Sequence, residues 1–297
     1  MDKSKLKDII NYVADKQGFR PAIIEKDYHL TRILNAVNQY LSCDIIFKGG
    51  TLLNKAYLNY HRLSEDLDFS YSNDVDVSTR GKRSKAIASI RNKMPSFMSF
   101  LGLTSNNPEG KGFNNSTQYL FNLQYQSIIM NRKEIIKFEI SLRQPSFLPP
   151  EIVKVRHFYQ DPFSGEDLFP QGNVLGLSLE ECAAEKLKAA ISRLTPAIRD
   201  YYDLGHFIKI GFDFSRLDLL KLTNKKLELD KYKGDYSYNL GLSDQAVKEL
   251  KRISHSDLIP MIRIDEKFDL DEVLKYFNNL FKRTNQQKNL QATGKNK

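Results

Sequence analysis

Asp66 and Asp68 stand one residue apart and alternate with the apolar Leu67 and Phe69. That is the pattern of a strand that buries one face and turns two carboxylates to the other. Two such carboxylates repel each other unless water or a cation separates them. Upstream, an apolar run over residues 45–47 meets the pair Gly49-Gly50, and reads as a strand stopping at a sharp turn. Thr51 is placed to cap a short helix through Leu52, Leu53 and Ala56. Bare amides at a helix start hold phosphate, and paired carboxylates hold the magnesium that phosphates bring with them. Together these pieces describe a nucleoside triphosphate site. The competing reading of a lone Asp-x-Asp is a solvated strand edge.

Other residues that bear on such chemistry come from elements farther along. Residues 119–128 and 136–142 alternate cleanly, with Tyr119, Phe121, Leu123 and Tyr125 on one face of the first run and Ile136, Phe138, Ile140 and Leu142 inward on the second. Glu139 therefore lies on the polar face of a central strand. It is a candidate third carboxylate for the metal and for the acceptor's proton; pairing with Lys137 or Arg132 is the alternative. Ser178 with Glu181 forms a capping-box start for a helix over 179–193. Lys186 sits beside its apolar stripe of Ala183, Leu187, Ala190 and Ile191, open to a functional role or to life as a snorkelling surface lysine. Pro196 ends that helix, and Asp200 and Asp203, one turn apart, open the next, where a helix N-terminus favours acids in any case.

The run Lys48-Gly49-Gly50-Thr51-Leu52 with Arg62-Leu63-Ser64-Glu65-Asp66-Leu67-Asp68 resembles the signature of the AbiEii-type nucleotidyltransferase toxins, within the DNA polymerase beta-like superfamily. The fifteen residues 51–65 between Gly50 and Asp66 fit that branch better than the general superfamily spacing. Lys186-x-Lys188, then Arg193 and Arg199-Asp200-x-x-Asp203 resemble the helical motif of the same family, in which a lysine and an aspartate are needed for activity. Two departures stand out: Lys188 occupies an acidic position of that motif, and the interval from Arg193 to Arg199 is longer. The choice between Asp200 and Asp203 stays open. Glu25-Lys26-Asp27-Tyr28 also resembles an N-terminal helix segment of the family; as physics it is an acidic first turn.

The resemblance implies an α+β chain. Residues 1–170 carry a mixed nucleotidyltransferase sheet flanked by helices and 171–283 a helical domain; by composition, 284–297 reads as a basic, disordered tail. It implies transfer of a nucleoside monophosphate from an NTP with one or two Mg2+ ions. Asp66, Asp68 and Glu139 bind metal, and Lys48, Gly49, Gly50, Thr51, Arg62, Ser64 and Arg193 bind the nucleotide. Lys186 with Asp200 or Asp203 completes the catalytic set. Modification of Ser64, two residues before Asp66, would disturb the metal site. The partners implied are RNA, specifically the acceptor end of tRNA, and a cognate antitoxin, in toxin–antitoxin or phage-defence systems.

Composition fits a core-forming chain: 297 residues, 41% hydrophobic, with a formal net charge of +9. Arg80, Lys82, Arg83, Lys85, Arg91 and Lys93 form a run without an acid just past the carboxylate strand, where a polyanionic acceptor would approach. Cys43 and Cys182 lack metal-ligand spacing and read as reduced core thiols. No membrane-length apolar run or signal-peptide core is present, which points to a soluble, cytoplasmic protein. No Gly-x-x-x-x-Gly-Lys-Ser/Thr occurs, which disfavours a P-loop ATPase. The rival readings are transfer to a small molecule or a protein hydroxyl, and a non-enzymatic RNA-binding protein.

Overall fold

Strand alternation in the sequence becomes sheet register in the computed structural model, which describes residues 2–42, 44–72, 75–143 and 146–294, side chains of 284–294 excepted. Cys43 and the end of the tail lie outside the described residues. β1 (Ile45–Lys48), β2 (Leu67–Tyr71), β3 (Lys111–Phe113), β4 (Gln118–Gln126), β5 (Lys133–Ser141), β6 (Glu151–Lys154) and β7 (Asn173–Gly176) form one sheet in the order β3-β4-β5-β2-β1-β7-β6. β2 runs parallel to β5 and β1 to β7; the other neighbours are antiparallel.

The sheet is two-faced. Phe47, Phe69, Phe121 and Phe138 lie on the buried face, with Phe69 stacked on Phe138 at 4.7 Å between ring centroids and tilted against Phe47 at 5.3 Å. The other face carries Asp68, Glu139 and their polar neighbours. β3 and β7 fall in stretches whose turn-forming residues hide such short strands from sequence patterns. β6 stops at Lys154, and beyond it His157 Nε2 lies 2.9 Å from the Phe169 carbonyl oxygen, a structural contact.

α1 (Lys3–Gln17) and α2 (Pro21–Tyr40) pack through Ile9, Ile10, Val13, Ile23, Ile24 and Tyr28. Because α2 begins at Pro21, Glu25 and Asp27 are not the acidic first turn that the sequence suggested. They are buried, and each grips another element, as the residue between them does. Glu25 accepts from the Ser127 hydroxyl and the Ile128 amide at the end of β4. Lys26 pairs with Glu65 at 3.1 Å. Asp27 pairs with the buried Lys55 at 2.8 Å. α4 (Arg80–Leu101) runs unbroken through Pro95. Ile87, Ile90 and Met94 before the proline and Phe97 and Met98 after it are buried, and that packing offsets the hydrogen bond that the proline cannot make.

The chain forms two compact units, residues 1–179 with 261–265, and 180–260 with 266–297. β7, at 173–176, belongs to the sheet of the first unit, C-terminal to the boundary expected near residue 170. The second is helical: α5 (Leu179–Ser192, its first residue in the first unit), α6 (Ile198–Lys209), α7 (Leu217–Leu229), α8 (Asp244–Asp257) and α9 (Leu270–Gly294). Here the Glu181 carboxylate, expected in a capping box, meets the buried Lys226 of α7 at 2.6 Å. Among the described residues no helix is long and apolar enough to cross a membrane.

His29 makes the first unit acid-sensitive. Its ring lies 4.1 Å from that of Tyr125, and burial, with Arg32 adding to it, pulls its pKa from 6.5 down to about 3. A histidine neutral in the folded state and free to protonate when unfolded takes up protons on unfolding. Its contribution is present above pH 6.5 and is lost as pH falls toward 3. Stability measured by urea unfolding should drop by up to about 1.4 kcal/mol per pH unit below 6.5. His29→Phe, which keeps a ring on Tyr125, should flatten the profile between pH 6.5 and 5; an unchanged slope would refute this.

Candidate active site

The two aspartates, the glycine turn and a third acid lie along the polar face of the sheet. Lys48 of β1 lies opposite Asp68 of β2, and Asp68 lies opposite Glu139 of β5. One row across three strands thus reads cation, acid, acid, with neighbouring strands about 4.8 Å apart. Asp66 immediately precedes β2, two residues from Asp68 and on the same face by strand alternation. Both aspartates and Glu139 are partly exposed. Among the described residues no cation pairs with Glu139; Arg132, one of its two alternative partners, pairs with Glu134 at 2.6 Å.

Gly49 has φ +80°, and a Cβ there would stand 2.5 Å from Asp68 Oδ2. The carboxylate is therefore laid directly against a bare Cα. Gly50 is likewise backed by the Arg62 guanidinium and the Ser64 hydroxyl. Arg62 is almost fully buried and donates to the Leu63 carbonyl at 3.0 Å. The short helix α3 (Gly49–Leu52) starts at the first glycine with Lys48 as its cap residue. Thr51 is thus inside the helix and is not its cap. Its hydroxyl donates to the Asp66 carbonyl at 2.5 Å, tying the turn to the chain that carries the first aspartate.

A π-helical segment, Leu53–Tyr57, continues α3. It turns Lys55 inward, where Nζ reaches Asp27 Oδ1 and Thr31 Oγ1, both at 2.8 Å. Sequence reasoning passed over Lys55 and read the Glu25-Lys26-Asp27 triple as no more than an acidic first turn. The available signal was three consecutive charges between Ile24 and Leu30 within a helix, which cannot all face water.

Gly49→Ala should cost about 1–3 kcal/mol, the price of a left-handed L-residue with a carboxylate in its way. It should also displace Asp68. Gly81→Ala, in α4 with nothing within 4 Å of the added carbon, should instead stabilise by about 0.4–1 kcal/mol. Chemical denaturation of the two variants checks the contrast; equal effects would remove the case for close approach at Gly49.

The second unit holds its own cluster. Lys186 Nζ lies 2.9 Å from Asp200 Oδ1 and 2.8 Å from Asp203 Oδ2. Arg193 Nε lies 3.1 Å from Asp200 Oδ2. Both aspartates are buried while Arg193 is half exposed. Lys186 is thus no free surface lysine, and Asp200 is the acid that touches both cations.

Several cations of the basic run on α4 are occupied locally. Lys82 pairs with Asp76 at 2.5 Å and Arg91 with Glu109 at 3.1 Å. Arg83 donates to the carbonyls of Asn115 and Val77, and Lys93 to that of Leu41.

Among the described residues no three His, Cys, Asp or Glu side chains already meet around one point. Magnesium does not require that: it commonly takes one or two carboxylates, with substrate phosphates and water completing the shell. The Asp66 and Asp68 pair beside a bare glycine turn fits such an ion.

The fold is shared with other solved structures. MenT4, a nucleotidyltransferase toxin of Mycobacterium tuberculosis, superposes with a TM-score of 0.58 at 19% identity, covering 95% of this chain and 90% of that one. JHP933 of Helicobacter pylori superposes with a TM-score of 0.50 at 16% identity, covering 94% and 98%. No curated protein sequence matches significantly. The family described as nucleotidyl transferase AbiEii toxin, type IV toxin–antitoxin system, matches residues 32–284. With that match over most of its length, the chain belongs to the AbiEii family of nucleotidyltransferase toxins.

Proposed function

We propose that this nucleotidyltransferase moves a nucleoside monophosphate from an NTP to a hydroxyl at the acceptor end of an RNA, tRNA being the first candidate. In this reading it acts in the cytoplasm as a toxin restrained by a cognate antitoxin, or in phage defence. The observation that carries it is the Asp68 carboxylate lying against the Gly49 Cα, which brings acid and bare amides to one place. The acceptor oxygen forms a bond to the α-phosphorus, the bond from that phosphorus to the bridging oxygen breaks, and pyrophosphate leaves.

The amides of Gly49, Gly50 and Thr51 hold phosphate oxygens. Lys48, in the same cross-strand row as Asp68, adds positive charge, and Arg62 and Ser64 support the turn from beneath Gly50. The Thr51 hydroxyl, spent on the Asp66 carbonyl, positions that aspartate. Asp66 and Asp68, with Glu139 beside them, would hold Mg2+, which supplies charge neutralisation at the phosphates. Glu139 accepts the proton of the acceptor hydroxyl. In the helical unit Lys186, ion-paired with Asp200 and Asp203, and Arg193, which reinforces Asp200, are the remaining candidate catalytic group.

The test incubates purified protein with each labelled NTP, Mg2+ and total RNA, beside the Asp66→Ala/Asp68→Ala variant. Label entering RNA with the wild type alone is the expected result. Equal RNA binding by both proteins without label would favour a binding protein, and label on protein or small molecules would move the acceptor.

A further inference from the structure

The carboxylate row does not stop at Glu139. Its β4 partner is Leu120, and the β3 partner of Leu120 is Lys111. Asp68 and Lys111 are thus three strands apart on one face, or ~14 Å at the usual strand spacing. By alternation the same face carries Phe113 on β3, Asn122 on β4, and Lys133, Ile135 and Lys137 on β5, all exposed. Lys137 lies opposite Asn122, one step along β5 from Glu139.

The opposite face of β4 and β5 is packed with aromatic and branched side chains, so this openness belongs to one side only. Phe113 is 37% exposed and Ile135 43%, and Lys111 Nζ stands 5.2 Å from the centre of the Phe113 ring. Three lysines, an amide and an aromatic ring on an open sheet face, with no acid among them beyond the carboxylate row, suit a flexible polyanion with flat bases. Aromatic platforms flanked by cations bind single strands because every base has a face to stack. A duplex presents no unstacked base to such a ring.

We infer that the β3–β4–β5 face binds the single-stranded end of the polynucleotide acceptor, with Phe113 stacking a base and Lys111 and Lys137 holding phosphates, so that the terminal hydroxyl arrives at Asp68 and Glu139. This rests on the RNA-acceptor reading above and names the surface that reading needs. The sheet face is better suited than α4, where several cations of the basic run are tied to neighbouring groups.

The experiment measures fluorescence anisotropy of a short labelled single-stranded RNA across a salt series, without NTP. It compares the wild type, Phe113→Ala and Lys111→Gln/Lys137→Gln, each checked for unchanged thermal melting. Phe113→Ala should weaken binding by about fivefold or more. The double lysine variant should reduce the slope of log affinity against log salt by about 1.4. Wild-type binding and slope in both variants would overturn the inference, as would protection of Lys111 and Lys137 from amine labelling by antitoxin and not by RNA. The transfer assay separates the two readings. RNA labelling undiminished in these variants sinks the face and leaves the function. Absence of labelling by the wild type, with RNA binding lost in the variants, sinks the function and leaves the face.

Discussion

Asp68→Asn should lower nucleotidyl transfer by on the order of 10^3, since a metal-bound carboxylate contributes several kcal/mol to a transition state that spreads charge over phosphoryl oxygens. It should do so without unfolding the protein. Asp68 has the Lys48 cation on one side and the Glu139 acid on the other. Neutralising it removes one attraction and one repulsion, each worth about 0.2–1 kcal/mol for cross-strand pairs. The net stability change should therefore stay within about 1 kcal/mol. The amide is isosteric, so it keeps its place against Gly49 and makes no new clash. Urea unfolding and transfer are measured on the same preparation. Activity within tenfold of wild type would remove Asp68 from the chemistry, and with it the role assigned to the glycine turn. Glu139→Gln makes the companion measurement. If its carboxylate takes the acceptor's proton, its loss should fall hardest on the pH dependence of transfer and less on NTP binding.

The glycine turn and the two aspartates were readable before the fold because their signals are local. A glycine pair after an apolar run and an acid at every second position each carry their geometry within a few residues. Glu139 was readable only as far as its face. That it stands opposite Asp68 follows from parallel pairing of β2 with β5, strands some seventy residues apart, and no local pattern contains that register. The basic run on α4 misled in the opposite direction. Charge is a property of sequence, but the availability of Lys82, Arg83, Arg91 and Lys93 depends on acids and carbonyls that tertiary folding brings up. The open face carrying Lys111, Phe113 and Lys137 escaped for the same reason, its members being spread over two strands that pair only through β4. In the helical unit Lys186, Asp200 and Asp203 stood out through the resemblance to the family's helical motif, and their spacing could not show that both acids hold one ammonium.

Asp27→Leu should destabilise the first unit by about 3–5 kcal/mol, because it leaves Lys55 buried with no countercharge. Both side chains are inaccessible to solvent. Burial pushes the Lys55 pKa down while Asp27 pushes it back up, so the aspartate is what makes a buried ammonium tolerable. Replacing both, as Asp27→Leu/Lys55→Met, should recover most of that loss, since an apolar pair of similar volume removes the desolvation cost on both sides. The hydroxyls around the pair would not be stranded. Tyr159 also donates to the Ile24 carbonyl at 2.8 Å, Tyr60 to the Arg156 carbonyl, and Thr31 to the backbone carbonyl of residue 27 at 2.8 Å. The midpoint of urea unfolding for the two variants decides this; a double variant no better than the single would mean that the network, and not the unpaired charge, sets the cost. Transfer by the double variant carries a second reading, because Lys55 lies in the π-helical segment five residues beyond Gly50. That segment is also held by Tyr57, whose hydroxyl donates to the Leu177 carbonyl at 2.9 Å. With this second anchor intact, transfer should stay within about tenfold of wild type, whereas misplacement of the glycine turn by as little as ~1 Å would cost on the order of 10^2.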